Sequence, residues 1–130
     1  MGSMDNQNVV VIGGTSGIGL ATAVIAASKG ANVWAVGRSE DRVNSAASQF
    51  PNINFEICDT HDLNGLAQLF KSIGSVDHIV GAATGANRTM KPFMEQTAEQ
   101  FSEAFDKFWG YCNVVRQGVP HLTDLSLIHI

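Results

Sequence analysis

VVVIGGTSGIGL, residues Val9 to Leu20, places a run of apolar and mostly β-branched residues directly before a glycine-rich turn. A stretch of small residues with the pattern of a helix, residues 18–29, follows the turn. The first N–H groups of a helix have no partner within that helix, and the helix dipole is positive there. The sequence therefore predicts a strand, then a tight turn, then the first turn of a helix. This arrangement is typical of a site for an anion such as a dinucleotide pyrophosphate.

The spacing of the glycines distinguishes this turn from other phosphate-binding loops. A Walker loop requires G-x-x-x-x-G-K-[ST], and Leu20 stands where the lysine is needed. The pattern G-x-G-x-x-G fails as well, because Gly17 and Gly19 are followed by Thr22 at the third glycine position. The remaining pattern is G-x-x-x-G-x-G, formed by Gly13, Gly17 and Gly19.

Length and composition indicate a single globular domain. The chain has 130 residues, of which 45% are hydrophobic and 15% are charged. Its net charge of -4 argues against a nucleic-acid partner. Cys58 and Cys112 are predicted to be buried free thiols in a reducing compartment. The N-terminus has neither a signal-peptide nor a myristoylation pattern, so we expect a cytoplasmic protein that does not contact a membrane.

Apolar patterning along the chain predicts alternating strands and helices. The predicted strands cover residues 8–13, 32–36, 53–57, 77–83 and a short fifth segment at 125–130. The predicted helices cover residues 17–29, 39–49 with Ser39 as N-cap, 62–72, and one long helix from a capping box at 97–100 to Pro120. Residues 84–96 are predicted to be a loop. This order predicts a Rossmann-like, doubly wound parallel sheet that is truncated after about the fifth strand.

Ligands of such sheets bind beyond the carboxyl ends of the strands. Four segments lie at the carboxyl ends of predicted strands: the glycine turn, Gly37-Arg38, Asp59 and residues 82–85. We therefore expect these segments to lie together at one edge of the sheet.

Three segments resemble the short-chain dehydrogenase/reductase family. GGTSGIGLA, residues 13–21, is similar to the family's phosphate loop, and DHIVGAA, residues 77–83, is similar to the segment where many members carry N-N-A-G. FDKFWGYCNVVRQGVPHL, residues 105–122, resembles the fourth-helix segment. The resemblance implies an NAD(P)-dependent oxidoreductase that acts on a small-molecule alcohol or carbonyl and forms homo-oligomers through the fourth helix. It covers residues 8–124, leaving residues 1–7 as an N-terminal extension and residues 125–130 as a tail interpreted as foreign to the domain.

The resemblance also implies which residues bind the cofactor. The implied positions are Gly13, Thr15, Ser16, Gly17, Ile18, Gly19, Gly37, Arg38, Ser39, Asp59, Ala82, Ala83 and Thr84. Gly37 stands where NAD-using members often place an aspartate for the ribose 2′-hydroxyl, and the guanidinium of Arg38 suits a 2′-phosphate. We therefore expect NADP rather than NAD, unless Arg38 is only a solvated residue at a helix start. Asp59 is expected to contact adenine, to cap a helix, or to do both.

The chain departs from the family in the residues that carry catalysis. Lys107 occupies the place of the fourth-helix asparagine that organises a proton relay, while Asn113 is expected to face elsewhere. Lys107 is either a cationic relay or substrate group, or a lysine at the helix edge whose amine reaches solvent. Tyr111 is the only tyrosine and is followed four residues later by Val115, so the sequence holds no Y-x-x-x-K. We expect these 130 residues alone to be inactive or nearly so.

Other functions remain open at this point. A dinucleotide-binding sensor or regulatory module without catalysis is the main alternative, whereas a Rossmann-like methyltransferase is disfavoured because no carboxylate directly follows the second strand. The histidines lack metal-ligand spacing, so no metal is expected. The apolar stripe of Phe101, Phe105, Phe108 and Trp109 is predicted to be core or interface, with part of it exposed.

Overall fold

The computed structural model describes residues 2–84 and 89–130. Its strands are β1 (Asn8–Ile12), β2 (Asn32–Gly37), β3 (Asn54–Ile57), β4 (Val76–Gly81) and β5 (Leu122–His129). Its α-helices are α1 (Gly17–Ser28), α2 (Glu40–Gln49), α3 (Leu63–Ile73), α4 (Ala98–Ala104) and α5 (Asp106–Gly118), with 3-10 turns at Phe93–Glu95 and Val119–His121. The predicted ligand-edge residue Gly85 and part of the predicted loop at 84–96 lie outside the described residues.

The strands form one parallel sheet in the order β3-β2-β1-β4-β5. The first three strands therefore progress in one direction from β1, and the chain then returns to the other side of β1 to form β4 and β5. This arrangement confirms the predicted Rossmann-like α/β fold. It also creates a switch point between β1 and β4, where the carboxyl ends of neighbouring strands diverge into a crevice.

The apolar run of β1 explains why helices cover both faces of the sheet. Alternate side chains of a strand point to opposite faces, and every residue from Val9 to Ile12 is buried. Val9 and Val11 belong to a core cluster with Ala23 and Ala26 of α1. On the other face, a second cluster joins residues of β1, β2 and β4 to α3 and α5. Its buried members are Val10, Ile12, Val36, Leu66, Leu69, Phe70, Val76, Ile79 and Val114.

Side-chain caps begin three of the helices, as the sequence predicts for two of them. The Ser39 hydroxyl accepts a hydrogen bond from the N–H of Arg42 at the start of α2. Thr97 and Gln100 form both halves of the predicted capping box of α4. Asp62, predicted as the first residue of α3, is instead its N-cap, so the predicted capping role of Asp59 is wrong, and the Asp59 side chain accepts from the N–H of His61.

The predicted long helix is in fact two helices that are separated at Phe105. The N–H of Phe105 bonds to the Ser102 carbonyl three residues earlier, at 3.1 Å, so α4 ends in a tightened turn. Trp109 then bonds back to the Phe105 carbonyl as α5 begins. The spacing of apolar residues is the same for one long helix as for two consecutive helices. The break at Phe105 therefore could not be read from the sequence.

The last strand begins three residues earlier than predicted. Leu122 pairs with Val76, and the Thr123 hydroxyl donates a hydrogen bond to the Asp77 carboxylate at 2.9 Å. The register between β4 and β5 shifts between Val76 and His78. Residues 125–129, set apart above as a tail, are thus continuous with the sheet.

The aromatic stripe does not enter the core, which corrects part of the prediction. Phe105, Phe108 and Trp109 are 57–61% exposed. The side of α5 that is buried against the sheet instead carries Gly110, Val114 and Gly118, spaced four residues apart. Small residues there let the helix lie close to the sheet, and the large aromatic side chains occupy the opposite side.

The two cysteines and the lengths of the helices relate to two further predictions, free thiols and no contact with a membrane. Cys58 and Cys112 are both free, as predicted, but each is only half-buried, which corrects the prediction that both are buried. No α-helix in the two described segments has the length and apolar character needed to cross a bilayer.

Candidate functional site

A cavity of about 280 Å³ opens at the carboxyl edge of the sheet, over the switch point between β1 and β4. All the residues predicted to form the site line this cavity. They are Gly13, Thr15, Ser16, Gly17, Ile18, Gly19, Gly37, Arg38, Ser39, Asp59, Ala82, Ala83, Thr84 and Lys107. The structure thus brings together segments that are up to 94 residues apart in the sequence, from Gly13 to Lys107. Their roles in binding or catalysis remain predictions.

Two glycines of the turn permit a close approach of three backbone segments. Gly13 has a φ of +83°, and an added Cβ there would lie 2.5 Å from the backbone nitrogen of Ala83. A Cβ on Gly19 would overlap the carbonyl oxygen of Gly13. The start of α1 can therefore lie directly against the end of β1, with the chain after β4 on the other side.

The start of α1 differs from the capped starts of α2, α3 and α4. Within the described part of the chain, the Ser16 side chain makes no hydrogen bond that caps the helix. Gly17 has a φ of +54°, and an added Cβ there would meet no atom within 4 Å. Gly17, Ile18 and Gly19 all line the cavity, so the uncapped first turn of α1 lies in its wall, where N–H groups of a helix start can bind a ligand anion.

Positive side chains lie at the end of β2. Arg38 and Arg42 both line the cavity and are exposed, and no carboxylate occupies the strand end because the residue there is Gly37. A Cβ on Gly37 would lie 2.6 Å from the Thr15 side chain, so glycine permits this contact with the turn. Arg42 was not predicted, although its position in the first turn of α2, just after Arg38, was a usable signal.

A chain of two carboxylates and one imidazole links the end of β3 to the start of α5. His61 Nδ1 lies 3.3 Å from Asp59 Oδ1, and His61 Nε2 lies 3.0 Å from Asp106 Oδ1. The backbone N–H of His61 also donates to Asp59 at 2.9 Å. That hydrogen bond holds the pKa of Asp59 below its usual value, and the charge of Arg38 acts in the same direction. All three side chains are 42–48% exposed, so the link contributes little to stability.

Cys58 also lies in the cavity wall, but it is poorly suited to nucleophilic chemistry. Burial, together with the negative charges of Asp62 and Asp59, raises the pKa of its thiol to about 11. The thiolate is the reactive form of cysteine, and little of it exists at neutral pH with this pKa.

Lys107 and Tyr111 extend from α5 toward the cavity. Lys107 is exposed, and its Nζ lies 5.4 Å from the centre of the Tyr111 ring, within the range of a cation–π contact. The Tyr111 hydroxyl contacts the carbonyl oxygens of Gly81 and Ala83. Asn113 faces elsewhere, as expected, because its side chain donates to the Thr60 carbonyl at 3.0 Å.

Nine residues that line the cavity are not among the predicted site residues, namely Ile12, Val36, Arg42, Cys58, Thr60, His61, Asp106, Gly110 and Tyr111. Those at the end of β3 are adjacent to Asp59 and could have been included on that ground. On α5, Gly110 and Tyr111 follow Lys107 at spacings of three and four residues and so share its helix face, and Asp106 directly precedes it. The contact between His61 and Asp106 joins residues that are distant in sequence, and no sequence signal points to it.

No group of three or more metal-ligating side chains occurs among residues 2–84 and 89–130. The cavity is lined instead by the backbone of the glycine turn, by the cationic side chains of Arg38, Arg42 and Lys107, and by the Asp59–His61–Asp106 link.

Known proteins are similar to this chain in both sequence and fold. L-xylulose reductase of Mesocricetus auratus is 32% identical over 100 residues, which are 77% of this chain and 40% of the relative. A 3beta-hydroxysteroid dehydrogenase of Mediterraneibacter gnavus is 36% identical over 101 residues, 70% of this chain and 37% of the relative. The chain thus spans about 40% of the length of these curated relatives.

Among solved structures, a short-chain type dehydrogenase/reductase from Mycobacterium ulcerans superposes with a TM-score of 0.81 at 22% identity. The superposition covers 92% of this chain and 47% of that one, and it shows that the two share a fold. A family model described as short chain dehydrogenase matches residues 7–126, almost the whole sequence. The chain belongs to the short-chain dehydrogenase family.

Proposed function

We propose that this chain is the NADP-binding N-terminal part of an oxidoreductase that transfers hydride between NADP(H) and an alcohol or carbonyl. The observation that carries the proposal is the uncapped start of α1, which faces the cavity at the switch point of the sheet. Membership in the family implies an NAD(P) cofactor, so the first question is whether the residues of this site fit a dinucleotide.

The backbone at the glycine turn fits a pyrophosphate. The N–H groups of the first turn of α1 supply hydrogen-bond donors at the positive end of the helix dipole. The open space beside Gly17 admits phosphate oxygens close to the backbone. A side chain at Gly13 or Gly19 would separate the three backbone segments that form this cradle.

Arg38 and Arg42 support NADP over NAD. A ribose 2′-phosphate carries negative charge, and guanidinium groups bind phosphate through paired hydrogen bonds. An NAD site commonly offers a carboxylate to the 2′-hydroxyl, whereas β2 ends here in Gly37. The two arginines would hold the adenine end of the cofactor over β2 and β3, beside Asp59.

The remaining half of a dinucleotide would then lie over β4. With its pyrophosphate at the start of α1, a dinucleotide would extend from β2 across β1, and Ala82, Ala83 and Thr84 would hold its other half. Small side chains at the first two of these positions admit a ribose close to the backbone. When bound, the nicotinamide supplies or accepts the hydride of the reaction.

We propose further that these 130 residues alone transfer hydride very slowly. The sequence holds no Y-x-x-x-K pair to donate a proton to a carbonyl oxygen. The names of the relatives, a reductase and a dehydrogenase, support the reaction class for a longer protein that includes this domain. We place that protein in the cytoplasm and expect a homo-oligomer.

Titration of the 130-residue protein with NADPH and NADH tests the cofactor. We expect tighter binding of NADPH, and Arg38→Ala should weaken NADPH by about 10-fold to 100-fold through loss of charge-assisted hydrogen bonds. NADH affinity should change little in that variant. Arg116→Ala is the matched control, since Arg116 is exposed on α5 and does not line the cavity.

Two results would contradict the proposal in different ways. Tighter binding of NADH that is insensitive to Arg38→Ala would show that the cofactor is NAD. Failure of the folded protein to bind either dinucleotide at millimolar concentration would overturn the dinucleotide site itself.

A further inference from the structure

Tyr111 makes contacts that neither the cofactor proposal nor the family pattern uses. Its hydroxyl lies 2.7 Å from the carbonyl oxygen of Ala83 and 3.1 Å from that of Gly81. One hydroxyl proton is thus shared between two carbonyls that flank Ala82. Tyr111 belongs to α5, the Gly81 carbonyl ends β4, and the Ala83 carbonyl lies just beyond it, so this contact links the helix to the end of the strand.

The ring of Tyr111 also takes up the space beside Gly81. A Cβ on Gly81 would lie 2.9 Å from Cε1 of the ring, too close for any larger residue without displacement of the tyrosine. Gly81 and Tyr111 are therefore matched in shape. The bulk of the tyrosine ring fills the volume that a side chain at position 81 would otherwise occupy.

The segment that Tyr111 holds is part of the cavity wall. The N–H of Ala82 donates to the Ile12 carbonyl at 2.8 Å, and the backbone of Ala83 lies directly against Gly13. A shift of Gly81–Ala83 would therefore change the distance between this wall and the glycine turn. Its position decides how much room remains for a ligand over β4.

We propose that Tyr111 is a positioning residue that holds the backbone of residues 81–83 in the shape required by the half of the dinucleotide over β4. The inference rests on the proposed function, in which the adenine half lies at Arg38 and Asp59. Tyr111 acts through the backbone and has no direct part in hydride transfer.

The protonation state of Tyr111 suits this role. Burial raises the pKa of its phenol above the ordinary value, so the group remains a hydrogen-bond donor at neutral and moderately alkaline pH. The Lys107 ammonium lies over the ring and not at the hydroxyl, which leaves the proton directed at the two carbonyls.

Binding of whole and half ligands to Tyr111→Phe tests the inference. The variant keeps the ring and loses only the hydroxyl. We expect NADPH to bind about 5-fold to 10-fold more weakly, as for the loss of one neutral hydrogen bond. Adenosine 2′,5′-bisphosphate, which represents only the adenine half, should bind within about 2-fold of its wild-type affinity. A merely structural role would weaken both ligands equally, and that result, or no change in either, overturns the inference.

Trp109→Phe serves as the control, because this exposed aromatic residue of α5 does not line the cavity. It should bind both ligands as the wild type does. A loss of NADPH binding in the control that equals the loss in Tyr111→Phe would attribute the effect to α5 in general and overturn the inference.

Hydrogen exchange of the ligand-free protein separates this inference from the proposed function. The amide of Ala82 is bonded to Ile12, so its exchange reports opening of the wall. We expect Tyr111→Phe to speed exchange in a peptide that covers residues 80–84, and not in one that covers α1. Unchanged exchange at 80–84 overturns the inference even if NADPH binds, whereas failure of the wild type to bind NADPH overturns the proposed function alone.

Discussion

Gly19 shows how a single residue type sets the geometry of the whole turn. It is the first buried residue of α1 and lies against the carbonyl of Gly13, where no Cβ has room. The obstruction is backbone, which cannot rotate out of the way as the end of a flexible side chain can. Any side chain at this position must therefore displace either the helix start or the end of β1.

We predict that Gly19→Ala destabilises the protein by about 1–3 kcal/mol, the usual cost of inserting a group into a packed site. It should also abolish or strongly weaken NADPH binding, because the first turn of α1 moves away from Gly13. Urea unfolding and NADPH titration measure the two effects.

Ala21→Ser on the exposed side of α1 is the control for Gly19→Ala and should shift stability by less than about 0.5 kcal/mol. Unchanged stability and NADPH affinity in Gly19→Ala would show that the turn has space for a side chain, and that the close approach of the two segments is not required.

The positions of the predicted residues around the cavity, though not their roles, could be read from the sequence for a physical reason. At positions such as Gly13 and Gly19 the backbone leaves no room for a side chain, so only glycine fits. The spacing of these glycines is therefore recognisable in the sequence. Lys107 was located correctly in the cavity wall, but its exposure depends on how α5 packs. The contact of His61 with Asp106 depends on the same packing and could not be predicted from the spacing of residues in the sequence.

The starts of α1 and α3 differ in whether a side chain caps the helix. Asp62 caps α3 by accepting a hydrogen bond from the N–H of Gly65 at 2.9 Å. The N-cap residue of α1 is Ser16, a residue type that also caps well, yet its hydroxyl makes no capping bond among the described residues. The start of α3 is thus capped by its own side chain, whereas the start of α1 has no side-chain cap, and we propose that a ligand anion binds there.

A pair of variants should separate these two uses of a helix start. Asp62→Ala should lower the free energy of unfolding by about 1 kcal/mol, as loss of an N-cap does, and should leave NADPH affinity unchanged. Ser16→Ala should leave stability within about 0.5 kcal/mol of the wild type and weaken NADPH, because Ser16 lines the cavity. Denaturant unfolding without ligand and NADPH titration of the folded protein give the two readings.

Asp62→Ala and Ser16→Ala serve as controls for each other. A loss of about 1 kcal/mol in Ser16→Ala without ligand would mean that this hydroxyl caps α1 after all. In that event the start of α1 would not differ from the starts of α2 and α3, and its role as an anion site would lose its main support.

Element boundaries were predicted where local chemistry sets them and missed where packing does. Ser39, Thr97 and Gln100 are caps whose side chains bond within a few residues, so their signals are local. The break at Phe105 has no such marker. The early start of β5 depends on the pairing of Leu122 with Val76, which lies on a different strand.

At the scale of the whole molecule, the order of the strands assembles the site. The turn after β1, the arginines after β2, Asp59 after β3 and the wall after β4 meet because parallel strands end at the same edge. This convergence follows from alternation of strands and helices, so it could be predicted without contacts. The same packing leaves one surface uncovered, formed by Phe105, Phe108 and Trp109 on the side of α5 away from the sheet.

We predict that this aromatic surface drives self-association of the chain. Exposed aromatic residues this close together, with Phe108 and Trp109 ring centres 5.6 Å apart, favour burial against a second copy. The double variant Phe108→Ser/Trp109→Ser should raise the dimer dissociation constant at least about 10-fold, since burial of one such side chain contributes about 1.5–3 kcal/mol. NADPH affinity should not change, because neither residue lines the cavity.

Sedimentation velocity over a range of concentrations measures this association, and Leu125→Ser tests the competing surface. Leu125 is 93% exposed on β5, at the edge of the sheet, and edge strands can also pair with a second chain. We expect Leu125→Ser to associate as the wild type does. If it dissociates instead while the α5 double variant does not, the edge of β5 is the contact surface. A wild type that stays monomeric at the highest concentration would mean that the aromatic surface of α5 alone does not hold two copies together.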